Sequence, residues 1–196
     1  MGIFDRKWFA VILGALCAMS VACESDELLK RHGSAGMNGS FEITDDGYPV
    51  NWVFFPNPEA DNTLRVVLDS NEVVDGSHSL KLVVRTRDKL PAIRSREVAF
   101  EPGNTYRFSM SYWNEGCTLT VNRIVMDASG KTVRRRDPVI DTSVPSNGWE
   151  YFEETLSIAE DEAKMLLVII INGSGTVRLD GANVERTGGY IPNSIL

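Results

Sequence analysis

Residues 106–113 read Tyr-Arg-Phe-Ser-Met-Ser-Tyr-Trp, so that Tyr106, Phe108, Met110 and Tyr112 alternate with Arg107, Ser109, Ser111 and Trp113. Successive side chains of a strand point to opposite faces, and this segment therefore has one dry face and one wet face. Leu80, Leu82 and Val84 repeat the pattern against Lys81 and Arg85, and Leu119 and Val121 do so again. Residues 165–171 form an unbroken apolar run, which predicts a central strand covered on both faces. Between the runs stand Asp75-Gly76, Pro102-Gly103, Ser129-Gly130, Asn147-Gly148 and Gly173-Ser174-Gly175, residues that take the backbone angles of chain reversals. Helical expectations are limited to one turn over residues 159–164 and a short helix over residues 26–31. Strands without intervening helices pack as a sandwich or a barrel, so the expected fold class is all-β and antiparallel.

The amino end has a different character. Arg6 and Lys7 precede an apolar stretch over residues 8–18, broken only by Gly14, the order of charge and then grease found in a secretory signal. Ser20-Val21-Ala22-Cys23 resembles a lipobox, which implies acylation of Cys23 and removal of residues 1–22. The apolar run falls short of the roughly 20 residues that span a bilayer, so a tether is expected in place of a spanning helix. Glu24-Ser25-Asp26-Glu27 resembles the export tag of some bacterial surface lipoproteins, and reads equally as a solvated tether. The expected organisation is a signal peptide at 1–22, a flexible tether at 23–37, a β-sandwich at 38–185 and a tail at 186–196. The expected location is the cell envelope, through the outer membrane, with the membrane as a partner by way of the acylated cysteine.

Charge and cysteine content narrow the functions. The chain carries 20 basic and 27 acidic side chains, a formal net charge of −7. Such a domain is a poor generic binder of nucleic acid, which is excluded as a partner. Arg134-Arg135-Arg136 is the contrary feature, either a grip for an anionic ligand or a solvated edge. With Cys17 and Cys23 in the signal region, Cys117 has no partner for an internal disulfide and reads as a small buried apolar residue.

Six fragments occur in a familiar order: NGSFE (38–42), Pro49 followed by Trp52, DGSHSLKL (75–82), PGNTYRFS (102–109), GWE (148–150) and GSGTVRLD (173–180). Together they resemble the carbohydrate-binding modules with a galactose-binding-domain-like jelly roll. The resemblance implies a jelly-roll β-sandwich that binds polysaccharide or glycan, often with a structural calcium ion. For the metal it points to Glu42, to Asp180 and to carbonyl oxygens of the Gly76-Ser77-His78 turn, with Ser77 in the set. Gly181 departs from the family's pattern, where a second aspartate often follows Asp180. The alternative is that Glu42 and Asp180 are ordinary strand-end carboxylates.

Sugar recognition needs flat aromatic faces for the apolar side of a pyranose and planar polar groups for its hydroxyls. By alternation Trp113 points out of the core beside Arg107, Ser109 and Ser111, and Asn122 and Thr120 share that wet parity. Tyr48, Phe54 and Phe55 flank a loop rich in proline and asparagine and are candidates for a loop-end site. The expected carbohydrate-binding residues are therefore Trp113, Arg107, Ser111, Asn122 and Phe54, with Trp52, Trp149 and Tyr106 structural. Catalysis is not expected: His32 and His78 are the two histidines, and no nucleophile elbow or phosphate-cradling loop is present. Two functions stand, a membrane-anchored glycan-binding module and a structural or assembly lipoprotein whose jelly roll meets a protein partner.

Overall fold

A computed structural model describes residues 36–86 and 88–188, with the backbone alone at 135–138. The signal peptide, Cys23, the acidic run, the side chains of Arg135 and Arg136, and residues 189–196 lie outside the described residues. Among the described residues there are thirteen strands and no helix. One sheet runs in the order β11 (Glu150–Ser157), β8 (Thr105–Glu115), β13 (Gly175–Gly188), β5 (Ser79–Val84) and β4 (Leu64–Asp69). The other runs β10 (Thr132–Asp141), β9 (Thr118–Met126), β12 (Lys164–Asn172), β6 (Ala92–Ser95) and β3 (Trp52–Phe55), with β7 (Val98–Ala99) also paired to β12. β1 (Thr44–Asp45) and β2 (Tyr48–Pro49) form a small ribbon, and every pairing is antiparallel. Strands from distant parts of the chain are neighbours in each sheet, the interleaving of a jelly roll.

Alternation decides the core. Tyr106, Phe108 and Met110 of β8, Leu80 and Leu82 of β5, and Val177 and Leu179 of β13 are buried against Leu119 and Val121 of β9, Ile93 of β6 and Phe54 of β3. In β12, Met165, Leu167, Ile169 and Ile171 are wholly buried between the sheets. Their neighbours Leu166, Val168 and Ile170 point the other way, and the last two are only half-buried. The apolar run is central in its sheet as expected, but its outer side is partly open. Cys117 is buried with its Sγ 3.7 Å from the Thr176 carbonyl oxygen, and burial pushes its thiol up to about 11.

The opening motif locks the two ends of the domain together. Asn38 donates from Nδ2 to the carbonyls of Ile43 (2.7 Å) and Val50 (2.9 Å) and accepts from the Ile43 N–H through Oδ1 (3.1 Å). Trp52 Nε1 donates to the Asn38 carbonyl at 3.1 Å, and its ring lies 5.3 Å from that of wholly buried Phe41. Gly39 is fixed by contact: a Cβ there would sit 1.7 Å from the Ala182 carbonyl oxygen on β13. Met37, expected in the tether, is wholly buried and belongs to the core, while β13 continues past the expected boundary to Gly188. Residues 159–164 close a tight turn in place of a helical one, with the Glu162 N–H on the Ala159 carbonyl at 3.0 Å. The Glu162 carboxylate accepts the Ala159 N–H at 3.0 Å and pairs with Arg134, so the turn satisfies itself locally.

Candidate functional site

Directly paired residues on adjacent strands share a face, so the register defines the outer surfaces. On the five-stranded sheet Trp113 pairs with Arg178, Arg178 with Lys81, and Lys81 with Val67. The Arg178 guanidinium lies over the indole of Trp113, with Cζ 4.5 Å from the ring centroid, and Trp149 meets the same indole edge-on at 6.2 Å. Arg178 Nη1 donates to Glu115 at 2.5 Å, while Asp69 lies 3.6 Å from Arg178 Nε and accepts from Lys81 at 3.2 Å. A ring face that a sugar would use is thus covered by the protein's own cation. Arg107 is on the same outer face and is held by Glu185 at 2.5 Å, and Ser111 is buried there.

Glu42 and Asp180 act at one end of this sheet as staples for residues 70–78. Glu42 Oε1 accepts the N–H groups of Ser77 (2.6 Å) and His78 (2.8 Å). Asp180 is wholly buried, and its Oδ2 accepts the N–H groups of Val74 (2.7 Å) and Asp75 (2.9 Å) while Oδ1 accepts that of Gly181 (2.8 Å). Burial pushes the Asp180 carboxyl up to about 6 against the pull of those three amides. Calcium binds about 6–8 oxygens. Here Glu42 accepts from the Ser77 and His78 N–H groups and Asp180 from those of Val74, Asp75 and Gly181, and among the described residues no three acidic, histidine or cysteine side chains converge.

The outer face of the six-stranded sheet is different in kind. One row across it is Val53, Arg94, Val168 and Asn122, and the next is Phe55, Ala92, Ile170, Thr120 and Asp141. Val53 and Phe55 are 43% and 49% exposed, large apolar side chains standing at the β3 edge. A concavity of about 430 Å³ is lined by Asn51, Val53, Arg94, Arg96, Glu97 and Leu166 among others. A second, of about 490 Å³, is lined by Tyr48, Val53, Phe55, Asn57, Pro58 and Glu59, and the two meet at Trp52 and Val53. Apolar surface, amides and guanidinium groups therefore gather in two neighbouring concavities at the β3 edge, the composition that sugar binding demands.

A family model described as a carbohydrate binding domain matches residues 33–176. The chain belongs to that family. This carbohydrate-binding domain is also similar in fold to solved structures. The enzymatically active domain of tailspike protein 4 from bacteriophage CBA120 superposes with a TM-score of 0.62 at 15% identity, over 79% of this chain and 22% of that one. The N-terminal endo-1,4-beta-D-xylanase 10B of Clostridium thermocellum, CBM22-1 and GH10 modules with xylohexaose, gives 0.53 at 14% identity, over 76% and 28%. The CBM22-1 xylan-binding domain of Paenibacillus barcinonensis gives 0.50 at 15% identity, over 76% and 91%. The domain thus spans less than a third of the first two chains. No curated protein sequence matches it.

The residues expected from sequence to bind sugar do not form one site in this carbohydrate-binding domain. Trp113, Arg107 and Ser111 share the outer face of the five-stranded sheet, whereas Asn122 lies on the opposite surface in the row of Val168 and Arg94. Phe54 turns inward: it is 8% exposed, its ring is 5.8 Å from that of Tyr48, and it backs the groove from the core. Its neighbours Val53 and Phe55 take the outer positions. Arg94, Arg96, Val53 and the outer half of residues 165–171 are absent from the sequence-derived set. Two signals marked them: Trp52 in the core puts Val53 and Phe55 outside by parity, and an apolar run leaves apolar residues on both faces of its strand.

Proposed function

We propose that this carbohydrate-binding domain holds a polysaccharide or glycan, without cleaving it, along the outer face of the six-stranded sheet. The observation that carries the reading is the junction of the two concavities at Val53, where Phe55 offers a ring and Asn51, Asn57, Arg94 and Arg96 offer planar polar groups. An exposed apolar ring beside planar hydrogen-bonding groups matches the two sides of a pyranose. Acylation of Cys23 tethers the domain to a membrane at the cell envelope in this reading, supported by the charge-then-apolar order before Ser20-Val21-Ala22-Cys23. Affinity electrophoresis of the chain through gels containing a panel of polysaccharides tests the binding. Retardation by at least one polymer, weakened by Phe55→Ala and unaccompanied by release of reducing ends, is the expected result. No retardation by any polymer refutes the glycan reading. Cys23→Ser is expected to move the chain from the membrane fraction to the soluble one, and a wild-type chain with no lipid on Cys23 refutes the anchor.

A second reading, a jelly roll that presents this face to a protein, is favoured by the apolar row Phe55, Ala92 and Ile170 beside Val53 and Val168. In that case polysaccharides do not retard the chain, and an in-cell crosslink from position 55 to one defined protein is lost in Val53→Glu.

A further inference from the structure

We infer that the glycan of this groove carries carboxylate groups, and that two arginine pairs, Arg94 with Arg96 and Arg65 with Arg85, bind them. The inference rests on the glycan reading above and names its substrate class. In a chain of net charge −7, arginines have ample acidic partners. Arg107 pairs with Glu185, Arg123 with Glu154, Arg134 with Glu162, Arg178 with Glu115 and Arg186 with Glu101. Among the described residues, the arginines with no carboxylate within 4.0 Å are Arg65, Arg85, Arg94 and Arg96, and all four are exposed.

The four fall in two places: Arg94 and Arg96 face outward from the six-stranded sheet, whereas Arg65 pairs with Val83, in the parity of Lys81, and with Arg85 faces outward from the five-stranded sheet at its β4 edge. Arg94 and Arg96 are two residues apart on β6 and its continuation, so they project from the same face into the concavity of about 430 Å³. That concavity joins the one of about 490 Å³ at Trp52 and Val53. The larger one in turn shares Tyr48 and Pro58 with a smaller concavity of about 120 Å³, which Arg65 and Arg85 help to line. The apolar stretch at Val53, Phe55 and Tyr48 thus has a pair of unengaged guanidinium groups to either side, one pair on each sheet. Of the carboxylates lining these concavities, Glu97 is 3.5 Å from Lys164 Nζ, and Glu59 stands in the middle stretch. Guanidinium is planar and presents a fork that matches a carboxylate in two parallel hydrogen bonds, which a hydroxyl cannot complete. An extended polymer of uronic acids supplies carboxylates at intervals and pyranose faces between them, and so meets both pairs and the apolar stretch between them.

Affinity electrophoresis of the full chain in gels with polygalacturonate, alginate or glucuronoxylan, each beside its carboxyl-reduced counterpart, tests the inference. At least one acidic polymer is expected to retard the chain, and its reduced form about tenfold less; Arg94→Gln/Arg96→Gln and Arg65→Gln/Arg85→Gln are each expected to weaken the acidic polymer about tenfold. Unchanged thermal melts of the two double variants exclude a folding defect, since all four side chains are exposed. Retardation by neutral or carboxyl-reduced polymers as strong as by the parents overturns the carboxylate inference and leaves the glycan reading standing. Equal retardation by DNA shows generic polyanion attraction and also overturns it. Absence of binding to every polymer, acidic or neutral, overturns both.

Discussion

The guanidinium of Arg178 rests on the indole of Trp113, Cζ 4.5 Å from the ring centroid, because the two residues are direct register partners on β13 and β8. Side chains at paired positions on one face lie close enough to stack, and the carboxylates of Glu115 and Asp69 hold the cation in place. Trp113 therefore works as part of a charged ladder across the five-stranded sheet. Trp113→Ala is expected to lower stability by about 1–3 kcal/mol through loss of packing and of the stack. Polysaccharide affinity, measured in the same gels, should stay within about twofold; a loss comparable with that of Phe55→Ala would place the sugar on the opposite sheet from the groove.

Adjacent phenylalanines on β3 should separate binding from folding. Phe55 is 49% exposed and Phe54 8% exposed. Phe55→Ala is expected to weaken polysaccharide binding about five- to tenfold, the worth of an aromatic contact, with little change in the melting temperature. Phe54→Ala should cost about 3–5 kcal/mol of stability by leaving a core cavity. Titration and thermal denaturation of both variants check the division.

The loop over residues 70–78 depends on a glycine that makes room for a carboxylate. Gly76 has φ +77°, and a Cβ there would lie 2.5 Å from Glu42 Oε1. Gly76→Ala is expected to cost about 1–3 kcal/mol through a strained backbone angle and displacement of Glu42 from the amides of Ser77 and His78. Chemical denaturation of the variant, beside Glu42→Gln, shows whether the two losses overlap, as they should for one shared contact.

Asp180 gives the fold a pH dependence of a definite sign. Its folded carboxyl titrates at about 6, above the ordinary value of about 3.9, because burial disfavours the charge. The folded state therefore holds the proton more tightly than the unfolded chain. Its contribution is fully present below about pH 4 and is lost as pH rises through about 6, a change on the order of 3 kcal/mol. Asp69 is shifted the other way, held down chiefly by the Asn71 N–H, so the total profile mixes the two. The difference between wild type and Asp180→Asn isolates the effect: urea midpoints from pH 4 to 7 should fall for the wild type relative to the variant.

Much of the architecture was legible in local pattern. The alternation at 106–113 predicts which side chains of β8 enter the core, and Tyr106, Phe108 and Met110 do. The fragments from NGSFE to GSGTVRLD place the chain in a family, and the structure shows why several of those residues recur together: Asn38 folds the first turn, Gly39 abuts Ala182, and Glu42 and Asp180 clamp residues 70–78. Strand parity assigns faces only from a residue whose side is already fixed. Phe54 flanks the proline- and asparagine-rich loop with Phe55 and Tyr48 and so reads as a loop-end aromatic, although a buried Trp52 two residues earlier sends it inward. The outward half of residues 165–171 was hidden because an apolar run has no polar residues to mark its wet side.

What the sequence by itself determined is the strand content, the inside and outside of those strands whose polar residues mark a wet face, and the family, because these rest on turn chemistry and on a two-residue repeat that acts within a few positions. What only the tertiary structure decided is which outer surface is open. Register set the Arg178 cation over Trp113, and the meeting of β3 with β6 drew Val53, Phe55, Arg94 and Arg96 together on the outer face of the six-stranded sheet. Register and the closeness of sheet edges come from pairings between distant segments, each satisfying its backbone hydrogen bonds and burying its apolar face against the other sheet, and no local repeat encodes that choice.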